Sequence, residues 1–132
     1  MFKRFIKPVY AHCDIPCGIY ETDTMTHAAA TCRRMVELID QQSGDDLAAR
    51  NNFARMVLVK EKHAQTVKDQ LYILWSDYFK PEHLKDHPDL HQIIWQAAKT
   101  ASRVKQTVDM ALAEQLQAEV AEVARVFAST KK

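Results

Sequence analysis

Beyond residue 24 the apolar side chains recur at steps of three and four. Met25, Ala28, Ala29, Cys32, Val36 and Ile39 form one stripe, the spacing that brings side chains onto one face of an α-helix. The polar run Glu21-Thr22-Asp23-Thr24 ahead of it offers capping groups, and Ser43-Gly44 marks its end. Asp45 and Asp46 stand where negative charge favours a new helix start. A long second helix follows, with Phe53, Val57, Ala64, Val67, Leu71, Leu74 and Tyr78 close to a heptad seam, and Pro81 is read as its end. Pro88 fits the first turn of a third helix, whose inner face carries Leu90, Ile93, Ile94, Ala97, Ala98 and Ala101. The end of that helix is weakly signalled. Either the chain turns between Val104 and Met110, capped by Thr107 or Asp109, or one longer helix continues unbroken. Leu112, Leu116, Val120, Val123 and Phe127 then give a fourth apolar face. The pattern predicts an all-α protein, an up-and-down four-helix bundle with no internal repeat and no low-complexity linker.

Composition agrees with one helical domain. The 132 residues are 47% hydrophobic, with only two Gly and four Pro, enough to close a single core. Eighteen Lys and Arg against seventeen Asp and Glu leave a net charge of +1. Such a balance makes no global basic field, so neither nucleic acid nor an anionic membrane is an expected partner. No apolar run reaches membrane-spanning length. The opening MFKRFIKPVYA carries Lys3, Arg4, Lys7 and Pro8 and lacks the continuous apolar stretch of a secretory signal. A cytoplasmic protein is therefore expected, with residues 1–11 either a retained terminal extension or a propeptide removed after the small residue Ala11.

The chemistry concentrates ahead of the helices, in the irregular hook His12-Cys13-Asp14-Ile15-Pro16-Cys17-Gly18-Ile19-Tyr20. It places an imidazole and two thiols within six residues, on a segment whose Pro16 and Gly18 favour a tight loop. Cys13 and Cys17 are open to several readings: a local disulfide, a thiol redox pair, half of a zinc site, or another metal site. Three intervening residues are more than the usual redox pair has, and no second cysteine pair follows to complete a zinc finger. If cleavage makes His12 the first residue, a primary amine and the Cys13 amide nitrogen join the two thiolates. Two sulfurs and two backbone nitrogens in a plane suit Ni(II) or Cu(II), whereas zinc prefers a tetrahedron of side chains.

The run HCDIPCGIY resembles the nickel hook of nickel-containing superoxide dismutases, and WSDYFKP, Trp75 to Pro81, with HPDLH, His87 to His91, resembles their helical body. The resemblance extends from His12 to the C-terminus, giving a domain over 12–132 with its hook at 12–20. It implies disproportionation of superoxide to dioxygen and hydrogen peroxide, with one nickel ion per subunit cycling between Ni(II) and Ni(III). It implies ligation by the His12 amine, the Cys13 amide and the Cys13 and Cys17 thiolates, with the His12 imidazole axial in the oxidised state. Thiolate and amide donors would bring the nickel potential between the two superoxide couples. Residues 1–11 become a propeptide cut by a processing peptidase, because the family needs a free amine on the hook histidine. A cis Ile15-Pro16 bond would direct Cys17 back to the metal, and Asp14 would serve hook geometry and assembly contacts. Tyr20 and Tyr78 would line the approach to the nickel, order water and relay protons. Lys80 would draw the anion in, although a solvated lysine near a helix end has the same sequence signature. The family assembles as a homohexamer in which neighbours cover the hooks.

Two positions depart from the family pattern. A glutamate on the first helix and an arginine on the second brace the hook imidazole in well-known members, where this chain has Ala28 and His63. His63 is thus a candidate substitute contact. Cys32 is read as a small core residue, His83, His87 and His91 as helix-start or surface groups, and Trp75 and Trp95 as packing or interface residues. The alternative to a dismutase is a non-catalytic metal-binding or thiol-redox helical bundle that keeps its N-terminal extension.

Overall fold

A computed structural model describes residues 18–131. The hook residues His12, Cys13, Asp14, Pro16 and Cys17 lie outside that range. The order is α1 (Asp23–Gln41), α2 (Leu47–Ile73) running into a π-helical turn (Leu74–Tyr78), a short α3 (Pro81–Asp86), α4 (Leu90–Gln106) and α5 (Met110–Thr130). The long helices pack as α1 on α2, α2 on α4, α4 on α5 and α5 back on α1, closing a four-membered ring. Short connections between sequence neighbours give the up-and-down arrangement. Among the described residues no helix is long and apolar enough to cross a membrane.

The apolar stripes close one core. Met25, Cys32, Leu71, Leu116 and Val123 are fully buried at the centre of the ring. Glu21 caps α1, its Oε2 accepting from Thr24 N at 2.8 Å. Asp46 and Asp109 cap α2 and α5 through Ala49 N and Leu112 N, each meeting a backbone donor that the helix itself leaves unpaired. The chain therefore does turn at residues 107–109, and the unbroken longer helix is ruled out.

Three details differ from the sequence expectations. Phe53 is 45% exposed, and the buried stripe of α2 runs instead through Met56, Lys60, Ala64, Val67 and Leu71. The long helix ends in its π-helical turn before Pro81, where Phe79 N donates to Leu74 O at 2.9 Å, and Pro81 opens α3 rather than closing α2. Pro at a first helical position loses only an N–H that would be unpaired there anyway. Pro88 lies in the turn ahead of α4, which begins at Leu90.

Lys60 is 1% exposed. Its ammonium donates to the carbonyls of Val104 and Lys105, the negative end of α4. A charged side chain on the core stripe thus ties the middle of α2 to the α4–α5 corner.

Candidate functional site

The described chain leaves the hook at Gly18, whose φ of 71° lies in the left-handed region. Among the described residues a Cβ there would meet nothing within 4 Å, so the positive φ is what calls for glycine. Two residues later the chain reaches the body: the Tyr20 and Tyr78 rings lie 5.2 Å apart at 56°. Tyr20 Oη also makes a long 3.5 Å contact, as donor, to the Asp77 carbonyl. The structure thus joins the two tyrosines that sequence reasoning singled out from points 58 residues apart in the chain.

Tyr78 is held from several sides. The π-helical turn carries it at the end of α2, and such turns often occur at functional sites. The Phe127 ring of α5 approaches to 4.7 Å, while the His83 ring of α3 stacks nearly parallel at 5.7 Å and 16°. His83 is fixed in turn, its Nδ1 accepting from Lys80 N at 3.0 Å. Tyr78 Oη lies 2.6 Å from Thr130 Oγ1 at the end of α5. The Lys131 ammonium stands 5.6 Å from the Tyr78 ring and 4.8 Å from that of Phe127, a cation–π geometry.

Lys80 lies on the exposed connection two residues beyond Tyr78. Among the described residues, the cation held against the ring is Lys131 rather than Lys80. Thr130, Lys131 and His83 belong to this surround and were not identified from sequence. Thr130 and Lys131 sit in the polar tail STKK, which has no periodicity to mark them.

His63 and Ala28 are placed elsewhere. His63 precedes Tyr78 by fifteen residues, about 22 Å along a helix axis at the usual rise. Its Nδ1 is 2.8 Å from the Val59 carbonyl; a carbonyl only accepts, so Nδ1 carries the proton and Nε2 is the ring's acceptor when neutral. Cys32 Sγ donates to the Lys60 carbonyl at 3.6 Å, which sets the register of α1 against α2. Ala28 follows one turn away in the same core cluster as Ala64 and is 3% exposed. A methyl there supplies no polar brace.

His87 and His91 are accounted for by local partners. His91 Nδ1 accepts from Trp75 Nε1 at 2.8 Å, and His87 Nε2 pairs with Ser129 Oγ at 2.9 Å. Among the described residues no group of three or more His, Cys, Asp or Glu is arranged to hold a metal ion. The hook sequence offers two soft thiols with nitrogen donors beside them, a set whose chemistry fits nickel. Trp75 and Trp95 are 48% and 56% exposed and line a groove between α2 and α4 with Tyr72 and His91.

Comparison with known proteins identifies the family and the fold. Residues 7–131 match the family described as nickel-containing superoxide dismutase. A superoxide dismutase [Ni] of Streptomyces seoulensis is 34% identical, the alignment covering 100% of this chain and 99% of the relative. That of Streptomyces coelicolor is 33% identical with the same coverage. A native nickel superoxide dismutase structure at 1.30 Å superposes with a TM-score of 0.81 at 32% identity, covering 92% of this chain and all of its own. These matches favour the dismutase over the non-catalytic alternative, and the chain belongs to the nickel-containing superoxide dismutase family.

Proposed function

We propose that the chain acts on superoxide after removal of residues 1–11, with His12 as the new N-terminus. In that form the His12 amine and imidazole, the Cys13 amide nitrogen and the Cys13 and Cys17 thiolates hold one nickel ion. Bound nickel would supply the one-electron change between Ni(II) and Ni(III) that lets one centre both oxidise and reduce superoxide. The observation that carries this reading is the pairing of Tyr20 with Tyr78 at 5.2 Å. Tyr20 follows Cys17 by three residues, so the hook is tethered where a cationic, aromatic wall already stands.

Each other residue has a role the chemistry requires. Pro16 and Asp14 set the loop so that Cys17 returns toward Cys13. Reducing one superoxide to hydrogen peroxide consumes two protons, and the Tyr20 and Tyr78 phenols would order the water that delivers them. Positive charge at Lys80, and at Lys131 beside Tyr78, raises the local concentration of a small anion without a basic protein overall. Nε2 of His63, at the position of the family's arginine, offers an acceptor to a hook imidazole N–H where an arginine could only donate. With the tyrosine pair about 22 Å along α2, that contact reaches a hook imidazole only if the hook lies back along the bundle or belongs to another copy. A homohexamer in which neighbours cover the hooks meets this need, and a cytoplasmic location with a dedicated processing peptidase completes the reading.

The test is a pair of thiol variants in processed protein. Cys13→Ser and Cys17→Ser should each abolish both stoichiometric nickel and dismutation while leaving the helical circular dichroism intact. Full nickel content and turnover in either variant would refute the ligand assignment.

A further inference from the structure

The last turn of α5 carries two hydroxyls used in the same way. Thr130 Oγ1 donates to the Phe127 carbonyl at 2.6 Å, and Ser129 Oγ donates to the Val126 carbonyl at 2.6 Å. A hydroxyl has one proton, so each oxygen must act as acceptor toward its second neighbour. That neighbour is Tyr78 Oη for Thr130, at 2.6 Å, and His87 Nε2 for Ser129, at 2.9 Å. Both interactions reach from the end of α5 to the segment between α2 and α4.

We propose that Thr130 is a positioning residue for Tyr78. Its hydroxyl, already committed to Phe127, takes the phenol proton and fixes the direction of the O–H bond. The Tyr78 oxygen is thereby left with its lone pairs available, a hydrogen-bond acceptor toward water or a protonated oxygen species. The polarity of the Tyr78 phenol is thus set by a threonine at the far end of the chain. His83 stacking and the Phe127 contact fix the ring plane, but neither sets the rotation of the hydroxyl; Thr130 does. The inference rests on Tyr78 having the role given above.

Thr130→Val removes the hydroxyl at nearly constant volume, and Thr130→Ser retains it. The exchange rate of the Tyr78 hydroxyl proton is read in nickel-free protein from the deuterium isotope shift on labelled tyrosine Cζ, with Tyr78→Phe identifying the signal. Dismutation per bound nickel is measured across pH in the loaded enzyme. Thr130→Val should speed hydroxyl exchange about five- to tenfold and lower turnover about tenfold, and Thr130→Ser should restore both. Exchange unchanged in Thr130→Val would overturn the proposal, as would faster exchange with wild-type turnover. Wild-type turnover in Tyr78→Phe would instead overturn the role of Tyr78 itself. The two failures are separable because the exchange measurement does not depend on catalysis.

Discussion

Cys32 and Lys60 meet inside the bundle, and their burial has opposite consequences. Desolvation pushes the Cys32 thiol from 9.0 up to about 11, with the Lys60 ammonium pulling the other way. Desolvation also lowers Lys60, with Glu61 and Cys32 opposing. For Cys32 the folded protein retains the proton where the unfolded chain has lost it. Its contribution is fully present below pH 9.0 and is lost as pH rises toward about 11. The stability of wild type relative to Cys32→Ala should therefore be flat up to pH 9 and fall from there to about 11, measured by urea midpoints at each pH; a difference that grows over that interval would contradict the assignment. Lys60 calls for a volume test. Lys60→Ala leaves a cavity and two carbonyls at the α4 end without their donor, a loss of about 3 kcal/mol, whereas Lys60→Met, which refills the space, should lose about half as much. Chemical denaturation of the two variants checks the order. Lys60 also explains one misreading of the sequence. An apolar-only reading passes over a charged residue, and skipping Lys60 moved the α2 stripe onto Phe53 and Val57 instead of Met56.

At the scale of elements, capping chemistry was legible and helix endings were less so. Asp109 was one of two candidate caps, and its side chain accepts from Leu112 N at 3.2 Å. Asp109→Ala should cost about 1 kcal/mol, read as a lowered unfolding midpoint, with Asp109→Asn retaining most of the stability. Equal stability of Asp109→Ala and wild type would mean the α4–α5 corner is held by Lys60 alone. Pro81 was read as a terminator because proline lacks an N–H, but the same property lets it open α3. The π-helical turn had no sequence mark. It results from packing, with Leu74 buried in the core and Tyr78 directed to Phe127 and Tyr20. Of the candidate site, the tyrosines were legible through the motifs around them, while Thr130, Lys131 and His83 were not, since their roles depend on the end of α5 returning to the end of α2.

For the molecule as a whole, the proposed ligand set lies in a part of the chain separate from the helical core. The described bundle closes its own core with no metal-binding cluster of its own, unlike small domains that fold only around a metal. Removing nickel should therefore abolish dismutation and leave the helical circular dichroism unchanged; a cooperative loss of helix on chelation would contradict that separation. On the proposed reading, function turns on one covalent event, the exposure of a His12 amine. The most direct measurement is the intact mass of protein produced with nickel, read together for its N-terminus and its bound metal. The account predicts a species that begins at His12, carries one nickel and disproportionates superoxide. An uncleaved chain with equal dismutase activity, or a cleaved chain that holds zinc or no metal, would contradict it.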